Sequence, residues 1–339
     1  MERSFLPFFL ETAPAMLAAL ALEALRATGS VAPEGRPWDV PGALAQLWRG
    51  ARCALGRALS PDERLAELDQ RLRAGAPVAA VTSAALVSAG PDLAALLLSL
   101  RLLGGPVTVA LLTGTWVVAA LASWVGGAMA ATEPLRLSRR APRERLRLPR
   151  AVRGCDAART TALERMLHAA EVLGPSYLGG LVVASALEAL LDPSAVAVLQ
   201  GPRWALPASL VGLLLLVDLR AAIPVVAVLV HKGLGPPAAL ALLTAGGGTS
   251  LGLARSLARR RGERTGGAVL LATLAGASAV GVVADRALLG HSLPEVHGVL
   301  GHQHLTAEWI AVVALGALLV LGVLRAGPRT WLAPARSLD

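Results

Sequence analysis

Residues 102–132 contain no ionisable side chain. A helix that crosses a bilayer needs about 20 predominantly apolar residues, and this run exceeds that length. Two further windows, 265–284 and 233–254, are equally free of charge, and shorter apolar runs cover 12–22, 74–91, 172–187, 204–217 and 309–324. The chain has little polar surface with which to cover them. Only 16% of its 339 residues are charged, against about a quarter in soluble domains, and 55% are hydrophobic. The expectation is an all-α, polytopic membrane bundle of seven or eight crossings, helical throughout because hydrocarbon offers no partner to a free backbone amide. Disorder, collagen and a disulfide scaffold are excluded, the last because only Cys53 and Cys155 are available. A cytosolic enzyme fits the composition poorly.

The formal net charge is +9, and Lys232 is the sole lysine among 32 basic residues. That Arg, Ala, Gly and Pro bias fits a GC-rich bacterial genome. The basic residues cluster between apolar runs: ten arginines in 133–165, then Arg255, Arg259, Arg260, Arg261 and Arg264, then Arg325, Arg329 and Arg336. Loops of this kind stay on the cytoplasmic side. No aromatic stacking platform accompanies them, so no nucleic-acid partner is expected; the expected partner is the lipid bilayer of a bacterial inner membrane. The oligomeric state is not legible. With all three clusters inside, 291–308 faces outward and the number of crossings between 165 and 255 is even. One segment there must therefore enter and return. The start of the chain, with Glu11 and Glu23 in its apolar stretch, reads as a retained helix and not a signal peptide.

Two stretches look alike. Glu11-Thr12-Ala13-Pro14 opens an apolar run ending Leu22-Glu23-Ala24-Leu25, and Glu171, Pro175 and Leu187-Glu188-Ala189-Leu190 follow in the same order. Arg73-Ala74-Gly75-Ala76-Pro77 likewise aligns with Lys232-Gly233-Leu234-Gly235-Pro236. The expected organisation is a first transmembrane repeat over 1–132, with 27–73 an interfacial polar linker, and an Arg-rich cytoplasmic loop over 133–165. A second repeat plus a terminal helix fills 166–325, and 326–339 is a cytoplasmic tail. Under the charge assignment, 106–130 and 267–289 run in opposite senses, so the halves are expected to be inverted copies, as in many secondary transporters.

Each half carries a small-residue interruption: Ser88-Ala89-Gly90-Pro91-Asp92 and Gly246-Gly247-Gly248-Thr249-Ser250. Paired interruptions of this type point to a transport site, with half-helix N-termini available to polar substrate groups. Close helix packing through small residues is the other reading. The expected substrate contacts are Ser88, Gly90, Asp92, Gly246, Gly247, Gly248, Thr249 and Ser250. Asp92 stands out as a proton or cation partner, since intramembrane acids are costly and often functional; Asp218 and Arg220 are placed to neutralise each other. Four of the six histidines, His291, His297, His302 and His304, crowd one outward loop. Imidazole binds zinc and copper, so transient metal capture competes with a merely solvated loop, and no resident cofactor is expected. Enzyme motifs are poor. Gly276-Ala277-Ser278-Ala279 lacks the closing Gly of a nucleophile elbow, and no nucleotide-binding loop is present.

The Glu11-Thr12-Ala13-Pro14 segment, Gly233-Leu234-Gly235-Pro236 leading into Ala239-Leu240-Ala241-Leu242-Leu243, and Ala245-Gly246-Gly247-Gly248-Thr249-Ser250-Leu251 together resemble the ArsP/YraQ-type permeases. The resemblance covers roughly 1–26, 72–130 and 165–325. It implies two homologous halves and efflux of organoarsenicals or of copper and zinc. The chain departs from that pattern in lacking the membrane cysteine of each half: Asp218-Leu219-Arg220-Ala221-Ala222-Ile223-Pro224 has none, and Cys53 lies among arginines. Ser250 stands where Asn is usual and Gly247 where Pro is usual. Thiolate capture of a soft metal is correspondingly weakened. The functional expectation is an efflux permease working by alternating access, with a degenerate, non-transporting scaffold as the alternative.

Overall fold

The computed structural model describes residues 2–26, 45, 67–72, 75–132, 161–215, 218–246, 250–288 and 306–327, and the described residues contain helices but no strand. The four histidines of the 291–304 loop, Gly247, Gly248, Thr249 and almost all of 27–66 lie outside them.

Five helices are long and apolar enough to cross a membrane. They are α1 (Glu2–Arg26), α4 (Gly105–Thr132), α5 (Ala162–Leu190), α11 (Glu263–Ala287) and α12 (Thr306–Ala326). The pair α2 (Val78–Ala89) and α3 (Leu93–Leu102), bent by 47° at the break between them, makes a sixth if counted as one span. This is the architecture of a multi-pass membrane protein. The expected seven or eight crossings are not met by length alone, because 193–261 divides into short pieces. These are α6 (Pro193–Ala197), α7 (Ala205–Leu215), α8 (Leu219–His231), α9 (Pro236–Ala245) and α10 (Ser250–Arg261).

Helix α1 corrects one local expectation. It begins at Glu2, so Glu11-Thr12-Ala13-Pro14 lies in its interior and does not open it. Pro14 removes one backbone donor there, and the Thr12 hydroxyl turns inward, donating to Phe8 O at 2.7 Å. The same hydroxyl meets Tyr177 Oη at 2.6 Å, which ties α1 to α5 across a buried interface.

Helices α4 and α11 pack antiparallel, and small residues let them approach. A Cβ built on Gly114 would lie 2.5 Å from Val280 Cγ1, and one on Gly126 would lie 2.7 Å from Val269 Cγ2. The partner number falls as the α4 number rises, which fixes the opposed directions. The order of elements before each of them is also alike. A glycine of positive φ (Gly75, Gly233) precedes a half-helix, a break and a second half-helix, and another such glycine (Gly104, Gly262) precedes the long helix. Left-handed backbone at these four turns favours a residue without Cβ. Members of each glycine pair are 158 residues apart.

Helices α7 and α8 form a hairpin. At about 1.5 Å per residue, helices of 11 and 13 residues reach less than the roughly 30 Å of hydrocarbon. Their outer ends return to the same place: Gly235 N donates to Leu199 O at 3.4 Å, and Lys232 Nζ lies 3.2 Å from Glu188 Oε1. The chain therefore folds back between α7 and α8, with Asp218 and Arg220 at the turn. A close contact between the positions of Gly180 and Ala221 seats that turn on α5, since a Cβ at Gly180 would lie 2.5 Å from Ala221 Cα.

Candidate functional site

The α2–α3 break is built by its own residues. Val78–Ala89 ends at Gly90, whose backbone is extended (φ −69, ψ −172), and Pro91 cannot continue the ladder. Asp92 then caps the next half-helix, its Oδ1 accepting from Ala95 N at 2.8 Å. That leaves Oδ2 for a partner from the far side of the sequence. Arg220 Nε donates to Asp92 Oδ2 at 2.7 Å, and Nη2 closes on the same oxygen. The other arm, Nη1, donates to Asp218 Oδ2 at 3.1 Å. Asp218 occupies the cap position of α8 but makes no side-chain cap bond, so its carboxylate is committed to the guanidinium.

Arg220 is 1% exposed and Asp218 7%, while Asp92 retains 18%. A buried arginine costs several kcal/mol unless paired and hydrogen-bonded, and here two carboxylates from two interrupted elements share it. Glu23, late in α1, lies within Coulombic reach of the same guanidinium. Three acids thus surround one base. Asp92, which the sequence marked as a proton or cation partner, is half of an ion pair spanning 128 residues.

The second break begins at Gly246, which ends α9 with its N–H bonded to Leu242 O at 2.9 Å. It packs on the hairpin, where its built Cβ would lie 3.2 Å from Gly212 O. Ser250 opens α10; Gly247, Gly248 and Thr249 fall outside the described residues. The two interruptions approach one point of α4. A Cβ on Gly90 would lie 2.6 Å from Thr115 Cγ2, and one on the adjacent Gly114 would lie 3.4 Å from Thr244 Cγ2, two residues before Gly246. Ser88 is turned to its own helix, donating to Ala85 O at 2.9 Å.

Further ion pairs tie the helix ends together. Arg101, at the end of α3, reaches Glu11 at 2.5 Å and Glu308 at 3.3 Å. At the other end of α12, Arg325 lies 3.4 Å from Glu171. Glu11 and Glu171 thus each contact a basic residue, while α12 is held at both ends. Sequence reasoning missed Arg101, Tyr177 and the reach of Arg220 to Asp92. The available signal was an arginine standing alone between apolar runs, which demands a buried partner.

His291, His297, His302 and His304 lie outside the described residues; among those described, no three His, Cys, Asp or Glu side chains are grouped so as to hold a metal. Ser278 donates to Leu274 O at 2.9 Å and pairs with Ser209 Oγ at 2.8 Å, so its hydroxyl faces another hydroxyl and not an imidazole. Comparison with protein-family models, with curated proteins and with solved structures finds no match to this chain.

Proposed function

We propose that the chain is an inner-membrane permease made of two inverted copies of one unit, exporting a small solute or a metal or metalloid ion by alternating access. The observation that carries this reading is the approach of Gly90, in the first interruption, and of Thr244, two residues before the second, to the neighbouring α4 residues Thr115 and Gly114, beside the buried Asp92–Arg220 pair. Opposed α4 and α11, each preceded by a broken helix and a left-handed glycine, support inversion. Irregular backbone at membrane depth is tolerated where protein or a wet cavity satisfies it, and charge there marks a path for ions or protons. Ser88, Gly90, Asp92 and the 246–250 segment line the substrate route. His291, His297, His302 and His304 receive metal at the outer mouth. The membership suggested by the ArsP/YraQ resemblance belongs to the same proposal.

A growth assay tests it. A sensitive bacterial host expressing the chain should tolerate copper, zinc or methylated arsenicals better than the empty host, and Asp92→Ala with Thr249→Ala should abolish the difference. Tolerance that is unchanged by expression would remove the reading. One observation favours the scaffold alternative: Gly90 is packed against Thr115, and Asp92 already has its counter-ion. The double substitution separates the two, because a scaffold has no flux to lose.

A further inference from the structure

We infer that the outward face of α10 binds an anionic phospholipid, its phosphate held between Arg255 and Arg259 on the outside of the bundle. The inference goes beyond the permease reading and does not depend on transport.

The two sides of α10 differ in what they meet. Leu253 and Leu257 are fully buried and share one cluster with Leu68, Leu72, Val78 and Val269. Arg255 and Arg259 each stand two positions from Leu257, about 200° around a helix of 3.6 residues per turn, so they point away from that cluster. Both are exposed. Residues at i and i+4 are neighbours, and like charges so placed repel. The nearby acids are already engaged: Asp69 Oδ1 accepts from Arg260 Nε at 2.5 Å, and Glu67 Oε1 accepts from Arg71 Nη2 at 2.5 Å. Among the described residues no acid pairs with Arg255, Arg259, Arg261 or Arg264. The complementary charge is therefore an anion from outside the bundle, and guanidinium forks suit the oxygens of a phosphate.

The position of the two arginines selects a lipid. Helix α10 ends at Arg261, the chain turns at Gly262 (φ 120), and α11 runs back beside it, with a Cβ on Gly266 lying 2.8 Å from Ala258 Cβ. The 25 residues of α11 make about 37 Å, more than the roughly 30 Å of hydrocarbon, so its first turn stands at headgroup level. Arg259 and Arg255 lie about 3 and 9 Å along α10 from Arg261, which puts them where phosphates meet acyl chains. Deeper along α11 the surface is apolar: a Cβ on Gly267 would meet open space, and Leu271 is 66% exposed. A phosphate carried on hydrocarbon chains matches this order of charge and apolar surface, whereas inorganic phosphate would use only its charged part.

The test uses the full chain purified in a neutral detergent, with bound lipid counted by native mass spectrometry as dioleoylphosphatidylglycerol is titrated in. The lipid should bind saturably, and Arg255→Gln with Arg259→Gln should weaken it about thirtyfold, the attraction of two arginines near a headgroup. Arg255→Gln alone, at an exposed position, guards against a folding defect and should weaken it about fivefold. Arg203→Gln with Arg286→Gln removes the same charge at the other end of α11, where a Cβ on Gly281 would lie 3.2 Å from Ala205 Cβ, and should bind as the wild type does. Dioleoylphosphatidylcholine has the same chains without net charge and should bind the wild type no tighter than the first double variant binds phosphatidylglycerol. Inorganic phosphate should leave the lipid bound. Equal binding of both lipids, equal loss in both double variants, or displacement by inorganic phosphate would each overturn the inference.

Discussion

Replacing Gly90 with Ala probes the point where the first interruption meets α4. The backbone there permits Ala, with φ at −69, so any cost comes from the added methyl. That methyl would lie 2.6 Å from Thr115 Cγ2 and 3.2 Å from Val87 O. Carbon atoms rest at about 3.5–4.0 Å, so the overlap with Thr115 approaches 1 Å. Overpacking of this kind costs about 1–3 kcal/mol. The smaller entropy of an unfolded Ala offsets about 0.4–1 kcal/mol of that. A net loss near 1–2 kcal/mol is expected. Thr115→Ser removes the colliding Cγ2 and keeps the hydroxyl, which donates to Leu111 O at 2.8 Å. Alone it should cost about 1 kcal/mol, as for a deleted buried methyl. Combined with Gly90→Ala it should recover part of the loss, leaving a coupling energy of about 1 kcal/mol. Equilibrium unfolding in mixed micelles, followed by tryptophan fluorescence, reads all four corners of the cycle. A neutral Gly90→Ala, or strictly additive effects, would refute the contact.

Three other substitutions follow from the geometry. Gly180→Ala would drive a methyl into the backbone of Ala221 at 2.5 Å, which cannot yield cheaply, whereas Gly179 faces open space; thermal unfolding should fall for the first and hold or rise for the second, where helix propensity gains up to about 1 kcal/mol. Arg220→Gln leaves Asp92 and Asp218 without their shared base and should cost about 3–5 kcal/mol, while Arg220→Gln with both acids changed to Asn should regain most of it, as read by yield of folded protein and chemical unfolding. Tyr177→Phe deletes the 2.6 Å bond to Thr12 and should cost about 1 kcal/mol in the same unfolding assay, with Thr12→Val added to it costing little more.

The helical, membrane-spanning character was legible because it depends only on long runs without charge, such as 102–132. The Arg clusters on either side of 165–255 led to an expected segment that enters and returns, and between them α7 and α8 fold back so that Gly235 lies against Leu199. Helix starts were read less well. Charged Glu11 and Pro14 looked like a boundary, yet a helix in lipid continues through both because breaking the backbone ladder costs more than burying a paired Glu. The site was legible only in halves. The interruptions stand out locally as Gly, Pro and Asp, whereas the bond between Asp92 and Arg220 crosses 128 residues and leaves no periodic trace. Arg220 looked satisfied by Asp218 two residues away, and nothing in the sequence announced its second arm.

The account depends on the two halves lying in opposite senses across the bilayer, and thiol labelling tests that directly. In a chain with Cys53 and Cys155 changed to Ser, Gly105→Cys marks the start of α4 and Glu263→Cys the start of α11. In right-side-out vesicles a membrane-impermeant maleimide should modify Gly105→Cys from outside and reach Glu263→Cys only after permeabilisation. Modification of both from the same side would contradict the account.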